Sequence, residues 1–333
     1  MRLIDLHTDW LLQYAGESTL FDRAYYDRIA DRFGQADGYL QTTSAAIVSC
    51  YRNADDWASQ ADPWAALGLM ITRIEAEFSG RVLRDPADLA RWRDDPDGLT
   101  WALIGIEGFD ALIRSETDLS RLPDLWRRGV RLFQPSYTEA GLLAGSSIDG
   151  DDRGLTDLGR RFLDTLETFG SNRPGPRPIV DLAHLNPKAA SEILDWFEAD
   201  AKRTDRLMPV FSHGCPIHDG CRRIRRAISL DNLGRLRALG GAIGIGVSPP
   251  FYSDPNQIRE GIEIAAGLPF AGRPGYEGIA IGTDFLGVRS TLPDLRNAEA
   301  VVAWVARTFP PDVASAIVSE NARTLFVRAI GEG

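Results

Sequence analysis

Lysine is nearly missing from this chain of 333 residues: Lys188 and Lys202 are the only two, and arginine supplies almost all the basic charge. Cysteine is scarce as well. Cys50, Cys215 and Cys221 are odd in number and carry no paired disulfide framework, which a chain long enough to bury a large core does not need. Positive charge is not in excess. The net charge is −10 and the one arginine cluster, at 222–226, is short, which argues against nucleic acid as a partner. No apolar run approaches the roughly 20 residues that a membrane helix requires. The opening MRLIDLHTDW lacks the basic and apolar regions of a signal peptide. These absences predict a soluble, reduced, cytoplasmic protein with no membrane partner. No linker, low-complexity tract or fixed-period repeat divides the chain, so it reads as one domain over 1–333.

What is present is an alternation. Short, nearly uniformly apolar runs at 3–6, 45–49, 101–106, 130–133, 178–182, 209–212, 242–247 and 278–282 have the character of strands buried on both faces of a parallel sheet. Amphipathic stretches at 65–79, 157–169, 186–198, 229–239, 255–266 and 297–308 separate them. Leu230, Leu233, Leu236 and Leu239 recur at intervals of three and predict one apolar helix face. Eight strands alternating with helices is the count of an α/β protein of the (β/α)8 TIM-barrel class. The segments 81–100 and 138–156 read as long loops or insertions, and 312–329 as a final helix packed back on the barrel. The glycine-rich run 240–246 falls within a strand, so it predicts close backbone packing and not a nucleotide loop.

Histidine is the informative scarcity. Only four occur, and His7, His184 and His213 each fall just past an expected strand. Asp9, Glu107 and Asp284 share that placement. In a barrel such positions converge on one rim, and imidazoles with carboxylates and no cysteine suit a hydrolytic zinc site. Residues two apart on an extended strand share a side, so His7 and Asp9 are expected to reach one metal. Taken singly, His7 or His184 could be a core histidine, Glu107 could cap a helix near Gly108, and Asp284 could be an N-cap or an arginine's partner. Six equivalent positions together favour the site. His218, in the loop Cys215-Pro-Ile-His-Asp-Gly-Cys221, is not at a strand end and is expected on the rim or surface. The two cysteines of that loop lack the spacing of a zinc knuckle and are read as neither metal nor redox pair.

Motifs through almost the whole chain resemble the membrane (renal) dipeptidase family of zinc-dependent dipeptidases, within the amidohydrolase-like barrels. Asp5-Leu6-His7-Thr8-Asp9 is similar to its opening motif, and Ile104-Gly105-Ile106-Glu107-Gly108 to its bridging-glutamate motif. Leu155-Thr156-Asp157-Leu158-Gly159, Val180-Asp181-Leu182-Ala183-His184, Phe211-Ser212-His213 and Ile281-Gly282-Thr283-Asp284-Phe285 resemble its later blocks. The resemblance implies two zinc ions per chain, one on His7 and Asp9, the other on His184 and His213, bridged by Glu107. A glutamate bridge also fits the composition, since neither lysine lies at an expected strand end, as a carboxylated-lysine bridge would require. Asp284 matches the family's acid/base residue. Arg226 aligns with a substrate-carboxylate binder, with Arg225 or Arg223 as the alternative register.

Two departures bear on substrate choice. Tyr137 stands where the family usually has a substrate-contacting histidine, and Leu286 replaces the second aspartate of Asp-Phe-Asp-Gly. The resemblance implies hydrolysis of a dipeptide or dipeptide-like amide by a metal-bridged hydroxide, with Asp284 moving the proton and Arg226 clamping a carboxylate; a tyrosine at 137 can donate a hydrogen bond to a developing oxyanion and so help to hold the carbonyl oxygen. The altered substrate residues keep two other readings open: a specialised amidohydrolase or lactonase acting on a non-peptide metabolite, and a non-catalytic metal-bound barrel. Fold-level analogy points to a homodimer.

Overall fold

The computed structural model describes residues 1–15, 20–21, 30–52, 60–95, 98–137, 141–148, 150–170, 174–219, 221, 224–249 and 251–332. Its centre is a parallel sheet of eight strands in sequence order: β1 (Leu3–Thr8), β2 (Thr43–Cys50), β3 (Trp101–Ile106), β4 (Val130–Phe133), β5 (Ile179–Asp181), β6 (Met208–Phe211), β7 (Ala242–Ile245) and β8 (Ile279–Ile281). The seam between the first and last strands is closed by backbone bonds, Asp284 N to His7 O at 3.0 Å and Asp9 N to Phe285 O at 3.0 Å. The result is a (β/α)8 barrel, and all eight strands lie where the apolar runs place them, because a strand covered on both faces has no polar side to blur the signal.

The helices packed on this sheet are α1 (Pro63–Glu77), α2 (Pro86–Arg93), α3 (Leu122–Arg127), α4 (Asp157–Glu167), α5 (Pro187–Glu198), α6 (Leu230–Ala238), α7 (Pro255–Gly267), α8 (Ala298–Thr308) and α9 (Asn321–Ile330). Their starts are written locally. Thr156, Asn186, Ser229, Asp254 and Asn297 each accept a backbone N–H of the first turn, and proline opens α1, α2, α5 and α7. The segment 81–100, expected as a loop, contains α2. Asp85 caps it by accepting from Asp88 N at 3.0 Å and Pro86 starts it, so the proline that suggested a loop marks a helix start. On α6 the leucine stripe is incomplete. Leu233 and Leu236 are fully buried while Leu230 is 45% exposed, because steps of three on a 3.6-residue turn drift off one face. The final helix is interrupted: Pro311–Ser315 and α9 flank a wider π-type turn at Ala316–Glu320.

Two apolar cores follow from strand alternation. Ile4, Ile47, Leu103, Leu132, Ile179, Val210 and Ala280 point into the barrel, where Leu325, Phe326 and Ile330 of α9 join them. The opposite phase, with Ala46, Ile104, Phe133, Val180, Phe211 and Ile243, packs against the surrounding helices. The run 240–246 behaves as close packing: a Cβ on Gly244 would stand 1.8 Å from Ser212 O. No helix among the described residues is long and apolar enough to cross a membrane.

Candidate metal centre

On several strands the inward phase turns polar at the carboxyl end. On β3, Trp101 and Leu103 face the interior and Glu107 continues that alternation past the strand. On β5 the phase runs Ile179, Asp181, and on β6 Met208, Val210, Ser212. At this rim His7, Asp9, Glu107, His184, His213 and Asp284 converge. Glu107 Oε2 lies 3.4 Å from His7 Nε2, while its Oε1 lies 2.9 Å from His184 Nε2 and 3.7 Å from His213 Nε2. His7 Nε2 is 3.8 Å from Asp9 Oδ1 and 4.0 Å from Asp284 Oδ1, and His184 Nε2 is 3.1 Å from His213 Nε2. Glu107 therefore presents one oxygen to each of two donor groups, and its side chain caps no helix.

His7 and Thr8 are the last residues of β1, and the chain turns only at Asp9, which has φ −87° and ψ 43°. His184 (φ 67°) and Asp284 (φ 55°) hold left-handed backbone directly after β5 and β8. Such a conformation costs on the order of 1–3 kcal/mol in a residue other than glycine and is concentrated at functional sites.

Two buried carboxylates of the motifs, Asp5 and Asp181, hold the rim in place. Asp5 accepts from His7 N (3.2 Å), Thr283 N (2.9 Å), Thr283 Oγ1 (2.6 Å) and Tyr39 Oη (2.7 Å). Asp181 accepts from Ala183 N (3.0 Å), Ser212 N (2.9 Å) and Ser212 Oγ (2.5 Å). Each aspartate thus fixes the residue just before a rim side chain on the neighbouring strand, Thr283 before Asp284 and Ser212 before His213. Ser212 Oγ also lies 2.8 Å from His213 Nδ1. With its proton given to Asp181, the serine accepts from Nδ1–H, which leaves the Nε2 lone pair facing the centre. Behind Asp284, Arg32 donates to Leu286 O (3.0 Å) and Gly287 O (2.7 Å), and Gln35 bonds both Leu286 N (2.7 Å) and Val288 O (3.1 Å).

The electrostatics describe a buried site with surplus negative charge. Burial raises Asp9, and the neighbouring Glu107 and Asp284 carboxylates add to the rise. Asp284 is pushed up to about 6 by burial and Glu107, against the pull of His7, Arg226 and Arg32. Burial would also raise Glu107, but His7 and His184 outweigh it and hold the carboxyl well below its usual range. Burial would lower His7, yet Glu107, Asp9 and Asp284 prevail and push it up to about 10. His184 is pushed down to about 3 by burial and by Arg226, and burial with His7 keeps His213 well below its ordinary value. Both are neutral imidazoles, the ligand form.

This donor set fits divalent cations. His7 Nδ1 and Nε2, Asp9 Oδ1 and Glu107 Oε2 are buried without a hydrogen-bond partner, which native interiors rarely tolerate. Donors about 2 Å from one ion lie about 3–3.5 Å apart, close to the spacings found here. Three carboxylates in one buried pocket also need positive charge to coexist.

The substrate-side residues lie around this centre. Tyr137 packs its ring 4.3 Å from that of His184, and its Oη is 2.8 Å from Tyr51 Oη, a partner the sequence did not announce. Burial first, then Glu107, raises the Tyr137 phenol, so it is neutral. Arg226 is near enough to act on His184, His213 and Asp284 and stands over the Phe251 ring at 5.6 Å. Arg225 turns elsewhere, to Asp152 Oδ1 at 3.1 Å and Asp151 O at 2.5 Å, and Arg223 lies outside the described residues. His218 is a correction: it is buried at 8% exposure, stacked on Tyr252, and not on the surface.

The profile of the membrane dipeptidase family (Peptidase family M19) matches residues 40–325. The chain belongs to this family. It is a hydrolytic enzyme of the metal-dependent dipeptidase type. His7 and Asp9 precede the matched residues, so their part in the centre rests on the geometry above. Among solved structures, the chain is similar to a metallo peptidase from Rhodobacter sphaeroides, determined with a phosphinate mimic of the dipeptide L-Ala-D-Ala, at 17% identity and TM-score 0.73 over 99% of each chain. It is similar to a probable dipeptidase from Pseudomonas aeruginosa at 14% identity and TM-score 0.70, over 100% of this chain and 96% of that one. An amidohydrolase from the same organism gives 18% identity and TM-score 0.68, over 100% and 97%. At such identities these likenesses carry the fold alone. No curated protein sequence matches the chain.

Proposed function

We propose that this chain hydrolyses a dipeptide or dipeptide-like amide using two zinc ions held on either side of Glu107. The observation that carries the reading is the division of that carboxylate, with Oε2 toward His7 at 3.4 Å and Oε1 toward His184 at 2.9 Å. His7 and Asp9 would hold one ion, and His184 and His213 the other. Imidazole and carboxylate donors without thiolate suit zinc. When bound, the ions lower the pKa of a water toward 7 and polarise the scissile carbonyl.

The other steps fall to side chains. Asp284 is the most open of the three carboxylates, at 17% exposure against 3% for Asp9 and Glu107. Its Oδ1 would accept the proton of the attacking water and return it to the leaving amine nitrogen. Arg226 would bind the substrate carboxylate through paired, charge-assisted hydrogen bonds. The Tyr137 hydroxyl, neutral through burial, would donate to the carbonyl oxygen as charge develops on it.

The Tyr51–Tyr137 pair favours one second reading, an amidohydrolase or lactonase acting on a non-peptide metabolite, since two phenols form this wall. A panel of dipeptides, including members with a D-residue on the C-terminal side, assayed beside simple amides and lactones, separates the two. Turnover of dipeptides is the expected result. Turnover of amides or lactones alone would replace the first reading by the second, and none of these turning over after zinc loading would overturn both.

A further inference from the structure

Outside this centre, the loop after β6 gathers Cys215, His218 and Cys221. All three are buried, and a ligand atom of each lies within 4.8 Å of the others. The two sulfurs are 3.4 Å apart. Two thiolates on one tetrahedral zinc ion stand about 3.8 Å apart, so a shift of a few tenths of an ångström would seat them. His218 Nε2 lies 3.0 Å from Phe251 O. A carbonyl accepts only, so Nε2 carries the proton and the lone pair is on Nδ1. Metal-binding histidines are commonly oriented by such a bond from the other ring nitrogen. A further polar group borders the cluster. Tyr252 stacks on the His218 ring (centroids 5.0 Å apart, 12° between planes), and its hydroxyl is buried with no hydrogen-bond partner. Burial raises its phenol, and the nearness of Cys215 and Cys221 raises it further.

We propose that Cys215, His218 Nδ1 and Cys221 bind one zinc ion, separate from the centre at Glu107, that fastens the loop after β6. Each thiol gives its proton to solvent on binding. The fourth position falls to water, to which the Tyr252 hydroxyl can donate. The ion would brace a segment already tied at Ile217 N to Ile228 O (3.0 Å) and Ile228 N to Cys215 O (2.9 Å). Phe251, whose carbonyl orients His218, also lies under Arg226, so the brace acts on the residue assigned above to the substrate carboxylate; only this consequence rests on that assignment.

Metal analysis tests the site independently of activity. Wild type, Glu107→Gln and the double variant Cys215→Ser/Cys221→Ser are loaded with zinc, and separately with cobalt(II). The double variant is expected to hold one ion per chain fewer than wild type, while Glu107→Gln keeps the ion. The cobalt form of wild type and of Glu107→Gln should show a thiolate-to-cobalt charge-transfer band in the near ultraviolet, absent from the double variant. Should the double variant fail to fold, wild type alone decides: two of its thiols should react with a disulfide reagent only after a chelator is added. Equal zinc in wild type and a folded double variant overturns the proposal. So does a wild type without the band, with thiols open before chelation, or with a chain lighter by two hydrogens as a Cys215–Cys221 disulfide would make it.

Discussion

Replacing Gly287 by alanine adds one methyl group to the loop behind Asp284, and that methyl should remove most of the activity. The position is not demanding for its backbone, since Gly287 is absent from the residues with positive φ. What it lacks is room. A Cβ there would stand 2.2 Å from Asp9 Oδ2 and 2.3 Å from Asp284 Oδ1, where real contacts do not fall below 3.0 Å. One or both carboxylates must retreat by the better part of an ångström. Overpacking of this kind costs about 1–3 kcal/mol of stability. A displacement of about 1 Å at reacting groups can cost on the order of 100-fold in rate. The assay is kcat/KM on the best dipeptide of the panel, with metal content and Tm measured on the same preparation. Gly34→Ala is the control, because nothing lies within 4 Å of a Cβ at that site. A Gly287→Ala enzyme with wild-type kcat/KM and full metal content would refute the reasoning, since it would mean that Asp9 and Asp284 need not hold their present positions.

Three further outcomes are expected. Asp284→Asn should lose activity while retaining both metals; in wild type, kcat/KM should fall as pH drops through about 6 or somewhat lower, because Asp284 must be ionised to accept a proton and bound cations depress its pKa. A flat acid side down to pH 4 would remove Asp284 from that role. Ser212→Ala breaks the link from Asp181 to His213 Nδ1 and should weaken zinc binding by about 10–100-fold in a chelator competition, with unchanged affinity as the contrary result. Arg226→Ala should raise KM for substrates with a free carboxylate by roughly 10–100-fold, the loss of a charge-assisted contact of about 1.5–3 kcal/mol. Arg225→Ala should not, because that side chain is engaged with Asp151 and Asp152; the reverse pattern would shift the register by one.

The parts of this protein that were legible in its sequence share one physical cause. Strands such as 101–106 are covered on both faces, so burial is written as an unbroken apolar run, and residues just past such runs must meet at the barrel rim. That is enough to gather His7, Glu107, His184, His213 and Asp284 from ends of the chain. What supports them was not legible. Asp5 and Thr283 are 278 residues apart, and a carboxylate that fixes a backbone across a closed seam has no periodicity to betray it. Tyr51 and Arg32 act through contacts to residues far along the chain and escape notice for the same reason. His218 was misplaced because a lone histidine in a polar loop carries no sign of the Tyr252 ring and Phe251 carbonyl that bury it.

The central claim is that Glu107 serves two ions at once. The most direct test is the zinc content of wild type and Glu107→Gln, stripped with chelator, reloaded under the same conditions and measured side by side by inductively coupled plasma mass spectrometry. The division of Glu107 between His7 and His184 predicts that the variant holds about two ions per chain fewer than wild type. A difference of one ion, or none, would contradict it and leave Glu107 as an ordinary ligand or a bystander.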